Sequence, residues 1–256
     1  MIVALIDNGS LEPAAHLNLR TLAAALSTRT GTKVHSVSWK HSDRISTEAL
    51  NDTPAWTLAP FVRYMFALGQ REFAFIPFFI SPQGAIGSAL RRDLERLQRE
   101  LGDFSFSFTD GLATRGALAG IVADRVQKTI AGNQLVRPPV ILVDHGGPSR
   151  ESAALRDAIA REIGASAATS MEGVHPPLLA DELRRPEYEN RDVVIAMLFL
   201  APGRHAGADG DVAQLCRASR ARCHRTPLVG DHPTVVEVLA GALRDSLLAE
   251  VSADVS

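Results

Sequence analysis

The sequence predicts an α/β fold made of two tandem modules, each a mostly parallel four-stranded sheet flanked by helices. Three observations carry this reading. Short β-branched or aromatic runs alternate with longer amphipathic segments, the pattern of β-α-β units. The runs VILV and VVIAMLFL are apolar without alternation, as strands covered on both faces are. The chain also repeats itself: VALIDNGS at 3–10 is matched by VILVDHGG at 140–147, and PFFISPQGA at 77–85 by LFLAPGRH at 198–205, with the same order of elements between them.

The elements follow in order. In the first half, strands are expected over 2–6 (IVALI), 33–39 (KVHSVSW), 73–80 (FAFIPFFI) and 104–108 (FSFSF). Amphipathic helices are expected over 14–27, 56–70, 83–101 and 115–131. In the second half the strands fall at 140–143, 166–171 and 193–200, with a weaker one at 222–228. The matching helices fall at 149–163, 177–185, 209–219 and 234–248. Between the halves, Gly132 and the paired Pro138 and Pro139 suit a linker that no helix or strand crosses. The expected modules are therefore 1–133 and 138–256.

Composition narrows the function. The 256 residues are 46% hydrophobic and 22% charged, ordinary for a globular protein able to bury a core without staples. Lys and Arg total 27 against 29 Asp and Glu, which argues against a nucleic-acid partner. Two cysteines, Cys216 and Cys223, are too few for a disulfide framework or a cysteine-based zinc site. The start MIVALIDNGS lacks the basic region of a signal peptide, and the longest apolar runs are strand-length, so no membrane partner and a cytoplasmic location are expected. No strand is followed by G-x-G-x-x-G or G-x-x-x-x-G-K-[ST], which sets nucleotide binding aside.

In parallel α/β sheets ligands bind beyond the carboxyl ends of the strands. In the second copy those ends carry His145, Glu172 and, in the Pro202-Gly203-Arg204-His205 loop, His205. Two imidazoles and a carboxylate thus reach one edge of one sheet. Imidazole ligates borderline divalent metals and also accepts protons near neutral pH. The equivalent ends of the first copy are Asn8, Lys40 and Ala85, which leaves that copy without a ligand set. Each residue alone has an ordinary reading: a hydrogen-bonding histidine, a solvated carboxylate, a glycine turn at Gly146-Gly147. Their convergence favours a site. His232 before Pro233 and His175 before Pro176 read as helix starts, and His16, His35, His41 and His224 as surface or packing residues. A phosphoryl-accepting His145 is disfavoured, because that chemistry wants an arginine beside it and Asp144 stands there.

VILVDHGGPSRESA, SMEGVHPPL and VVIAMLFLAPGRHAGADGD resemble the three signature segments of the class II chelatases, the sirohydrochlorin cobalt- and ferrochelatases, in particular the CbiX type in its long two-module form. The family's strand-end His-Gly, its Glu before a proline-containing helix start, and its Pro-Gly-x-His loop with an Asp four residues on match His145, Glu172, His205 and Asp209. PLVGDHPTVVEVLAGAL resembles its closing segment. The chain departs from the family at Asp144-His145-Gly146-Gly147, where the family run is Gly-His-Gly-Ser.

The resemblance implies two chelatase-like modules, the first with a degenerate site. It implies a lyase of siroheme or cobalamin biosynthesis that inserts a divalent metal into sirohydrochlorin or a related tetrapyrrole without an organic cofactor. Cobalt or iron is the expected metal, with nickel or zinc also compatible. His145 and His205 would hold the metal, accept the pyrrole protons, or do both, with Glu172 balancing charge or relaying protons. Gly146, Gly147, Arg204 and Asp209 would contact substrate, in a cleft between the modules. The competing reading is a non-catalytic metal- or tetrapyrrole-binding protein on the same fold. Nothing in the residues indicates an oligomeric state.

Overall fold

The structure is a computed structural model that describes residues 1–81 and 85–253. The expected helix start at Gln83 and the middle of PFFISPQGA lie outside the described residues, as does the side chain of Ala85. Among the described residues there are eight strands and eight α-helices. The first half contributes β1 (Ile2–Asp7), α1 (Pro13–Thr30), β2 (Val34–Ser38), α2 (Leu58–Ala67), β3 (Glu72–Pro77), α3 (Ala85–Leu101), β4 (Ser105–Phe108) and α4 (Ala117–Gly132). The second contributes β5 (Val140–Gly147), α5 (Arg150–Glu162), β6 (Ala167–Gly173), α6 (Leu179–Glu182), β7 (Asp192–Met197), α7 (Asp211–Ala218), β8 (Arg222–Arg225) and α8 (Pro233–Ala253). The sheets are ordered β2-β1-β3-β4 and β6-β5-β7-β8, the same topology twice, and every pairing is parallel.

The central strands are as dry as their composition requires. Val193 through Ala196 of β7 are fully buried, as are Ile141, Leu142 and Val143 of β5. Each such aliphatic side chain contributes about 1.5–3 kcal/mol relative to exposure. The first sheet packs a more aromatic core, with Phe61, Phe73, Phe75 and Phe104 against Leu90, Leu94 and Leu97 of α3. Helix ends are set locally: Pro13 opens α1 and Gly31 closes it in the left-handed region, while Ser149 caps α5 by accepting from the Ser152 amide at 3.2 Å.

Two boundaries differ from expectation. β5 continues past Val143 to Gly147, because the polar residues 144–147 still pair with β6, Gly146 opposite Glu172 and Gly147 opposite Gly173. α6 spans only Leu179–Glu182 where a helix over 177–185 was expected. The Ser170 amide donates to the Pro177 carbonyl at 3.1 Å and Ser170 bridges Leu178, which holds 177–178 extended along β6.

The module boundary is the larger correction. The compact units are Met1–Arg115 with Pro233–Ser256, and Gly116–His232, rather than 1–133 and 138–256. Helix α4 packs on β7 and α5, and α8 packs on α1, so each repeat's last helix completes the other repeat's unit. Both helices carry an apolar stripe, with Leu118, Ile121, Val122 and Val126 buried in α4, and Val235, Leu239 and Leu243 in α8. Polar contacts lock the choice: His232 Nε2 lies 2.9 Å from Asp124 Oδ2 in one unit, and Arg29 pairs with Glu237 at 2.9 Å in the other.

Candidate metal centre

Three strand ends build the site in the unit formed by Gly116–His232. β5 delivers His145, β6 delivers Glu172, and the loop from β7 to α7 delivers His205. Gly146 lets β5 and β6 stay paired at this edge. Its φ is 83°, and a Cβ there would lie 1.8 Å from the Glu172 carbonyl oxygen, so no side chain fits. Gly9 repeats the device, with a Cβ position 1.7 Å from the Lys40 carbonyl oxygen. The shared clash identifies Lys40 as the counterpart of Glu172, and Asn8 as that of His145.

The His205 loop folds onto itself before α7. The Gly207 amide donates to the Gly203 carbonyl at 2.8 Å, and the Asp211 and Val212 amides donate to the carbonyls of Arg204 and His205. His205 is thereby enclosed, its side chain 8% exposed against 64% for His145 and 50% for Glu172. His205 Nδ1 lies 2.8 Å from Asp211 Oδ2 and its Nε2 lies 2.7 Å from Glu172 Oε1. His145 Nε2 is 3.8 Å from the same Glu172 oxygen, and the two imidazole rings meet edge-on with centroids 4.8 Å apart.

One ligand atom from each of His145, Glu172 and His205 lies within 4.8 Å of the others. Two nitrogens tetrahedrally bound at about 2.0–2.1 Å from zinc or a similar ion stand about 3.4 Å apart. The set therefore needs shifts of about 1 Å, which rotation of the exposed His145 and Glu172 side chains supplies. Asp211 accepts from Nδ1–H of His205 and so turns the Nε2 lone pair toward the centre, the usual way a carboxylate orients a ligating imidazole. Nε2 of the same ring lies against Glu172, so the imidazole and the carboxylate face one another at the centre.

Electrostatics suit a cation. The hydrogen bond with His205 lowers the Glu172 pKa, and nearby His145 and Arg204 pull the same way. Behind the site, burial pushes the Asp144 carboxyl up to about 6, opposed by Arg156 at 3.7 Å. Asp7 shows the same shift in the first unit, also to about 6 and also from burial.

The structure brings His145, Glu172, His205, Gly146 and Gly147 to one edge. Arg204 borders it, its side chain 79% exposed and its Nε 3.3 Å from Asp211 Oδ2. Asp209 does not join them: its carboxylate is 87% exposed and bonds Arg217 at 3.0 Å. Asp211, at the first turn of α7, is the carboxylate that meets His205, while the turn closed by the Gly210 amide on the Gly207 carbonyl carries residue 209 outward. The signal available in the sequence was a carboxylate at a helix start just after a histidine loop.

A doubled four-stranded parallel sheet of this order is the fold of the class II chelatases. The structure of CbiX, the terminal enzyme for siroheme biosynthesis in denitrifying bacteria, matches with a TM-score of 0.62 and 15% identity, covering 95% of this chain and 97% of that one. SirB from Bacillus subtilis with Fe3+ matches at 0.61 and 13%, over 96% and 95% of the two chains. The sirohydrochlorin chelatase SirB from Bacillus subtilis subspecies spizizenii, in complex with cobalt, matches at 0.60 and 13% with the same coverage. At these identities the likeness is one of fold. No family model and no curated protein matches the chain. Among the described residues, no helix is long and apolar enough to cross a membrane.

Proposed function

We propose that this chain is a cytoplasmic sirohydrochlorin-type chelatase that inserts cobalt or iron into sirohydrochlorin or a related tetrapyrrole, with no organic cofactor. One observation carries the reading: two imidazoles and a carboxylate converge at the carboxyl edge of one sheet, while Asn8 and Lys40 stand at the matching positions of the other. The fold shared with proteins whose structures hold Fe3+ or cobalt supports it.

Metallation requires the metal to shed water and two pyrrole nitrogens to lose their protons. His205, oriented by Asp211, presents Nε2 to the incoming cation while His145 offers a second nitrogen. Glu172 balances the charge and is a carboxylate able to take a pyrrole proton. Arg204, largely solvated, is placed to meet a carboxylate of the macrocycle.

The test is an anaerobic absorbance time course of sirohydrochlorin with Co²⁺, comparing wild type with the His145→Ala/His205→Ala double variant. A wild-type rate above both the uncatalysed and the double-variant rates is expected. Asn8→Ala should leave the rate nearly intact. No acceleration with Co²⁺, Fe²⁺ or Ni²⁺ would sink the enzyme reading and leave a non-catalytic metal- or tetrapyrrole-binding protein.

A further inference from the structure

Where Glu172 ends β6 in one unit, Lys40 follows β2 in the other, at the same place in the fold and with the opposite charge. Both positions are fixed by backbone against backbone, since neither Gly9 nor Gly146 leaves room for a Cβ between the paired ends. The edge that collects cation ligands in one copy has therefore been rebuilt in the other around a cation.

The surroundings of Lys40 extend this reversal. A cavity of about 280 Å³ opens here, lined by Trp39, Lys40, Arg44, Arg96 and the first turn of α2. Lys40 Nζ sits 3.9 Å above the Trp39 ring, whose indole N–H donates to Asp93 at 2.9 Å. Asp93 also bonds Arg96 at 3.0 Å, so its charge is already matched. Lys40 and Arg44 have no ion-pair partner among the described residues; two carboxylates, Asp43 and the Arg96-paired Asp93, line the cavity with them. The first turn of α2 lines the cavity too, with no side-chain cap and with the positive end of the helix dipole behind it. The loop bearing Lys40 and Arg44 is anchored from below. Ser42 is buried, and its hydroxyl bonds the Ser10 carbonyl at 3.1 Å and the Ser38 hydroxyl at 2.9 Å.

We propose that this cavity is an oxyanion-binding site, taking a carboxylate or a phosphate group against Lys40, Arg44 and the first turn of α2. The site stands on the charges and the cavity alone. Its narrower form, in which the oxyanion is a carboxylate of the macrocycle, rests on the function proposed above.

The experiment uses the full chain carrying Trp56→Phe, which leaves Trp39 as the single tryptophan. Inorganic phosphate is titrated against Trp39 fluorescence. Metal-free uroporphyrin, an octacarboxylate, is titrated separately by its own fluorescence anisotropy. At least one probe is expected to saturate, with an apparent Kd at least about tenfold higher in Lys40→Glu/Arg44→Glu and an intermediate loss in Lys40→Gln/Arg44→Gln. Saturation by phosphate alone marks a free anion as the ligand, and saturation by uroporphyrin marks a macrocycle carboxylate. The proposal is overturned if neither probe gives a saturable response, or if both double variants bind like the parent. No metal is present, so a chain that fails to insert metal can still pass this test, and the two failures stay distinguishable.

Discussion

Asp7→Asn makes the charge of a turned-in carboxyl measurable. Asp7 Oδ1 accepts from the Gly9 amide at 3.0 Å, and the carboxyl also bonds Ser38. Burial outweighs both bonds and raises its pKa from 3.8 to about 6. A carboxyl with a raised folded pKa holds its proton more tightly in the fold than in the unfolded chain. The contribution of Asp7 to stability is therefore greatest below about pH 3.8 and is lost as pH rises through about 6. A difference of about 2.2 pKa units at about 1.36 kcal/mol each gives up to about 3 kcal/mol, of which about 2 kcal/mol develops between pH 4.5 and 8.

Asn is nearly isosteric and keeps the acceptor for Gly9. The Ser38 hydroxyl, within reach of His16 at 3.3 Å and Ser42 at 2.9 Å, can reverse its bond to accept from the new amide. The variant should melt about 4–8 °C further above wild type at pH 8 than at pH 4.5, in scans at matched ionic strength. Parallel melting curves across that window would refute the buried, ionising Asp7.

Gly146→Ala should separate the ends of β5 and β6, weakening cobalt binding at least about tenfold and costing more than about 2 kcal/mol. Gly9→Ala should destabilise comparably yet leave cobalt affinity alone; calorimetric titration of both with Co²⁺ decides, and equal affinities would contradict the site. Asp211→Asn should weaken Co²⁺ binding by about 10–100-fold without loss of fold, by the usual cost of removing a carboxylate that orients an imidazole ligand; unchanged affinity removes Asp211 from the site. A chain ending at residue 232 should lose hydrogen-exchange protection in β1–β4 while β5–β8 stay protected, and the reverse pattern would overturn the helix exchange.

What could be read from the residues was whatever depends on local pattern. Runs such as VILV and VVIAMLFL announce dry parallel strands, and residues at strand ends face the ligand edge by topology alone, which is why His145, Glu172 and His205 were legible together. Spacing is silent where the backbone doubles back: Asp209 and Asp211 are two apart, and the turn from Gly203 to Gly210 decides which meets His205. Local pattern is also silent on which unit a helix completes: α4 and α8 both present apolar stripes, and nothing local assigns them. The length of β5 was hidden because Asp144-His145-Gly146-Gly147 has no strand composition, its pairing arising from glycine backbones rather than side chains.

The exchange of α4 and α8 has a consequence for how the molecule is made. Residues 116–232 form an uninterrupted stretch of chain, so the unit that carries His145, Glu172 and His205 has every residue it needs before synthesis ends. Residues 1–115 emerge earlier but wait for residues 233–253 to cover α1. On a ribosome adding about 5–20 residues per second, that leaves the outer flank of α1 open for several seconds to well over ten. The half that leaves the ribosome first is the half that finishes last.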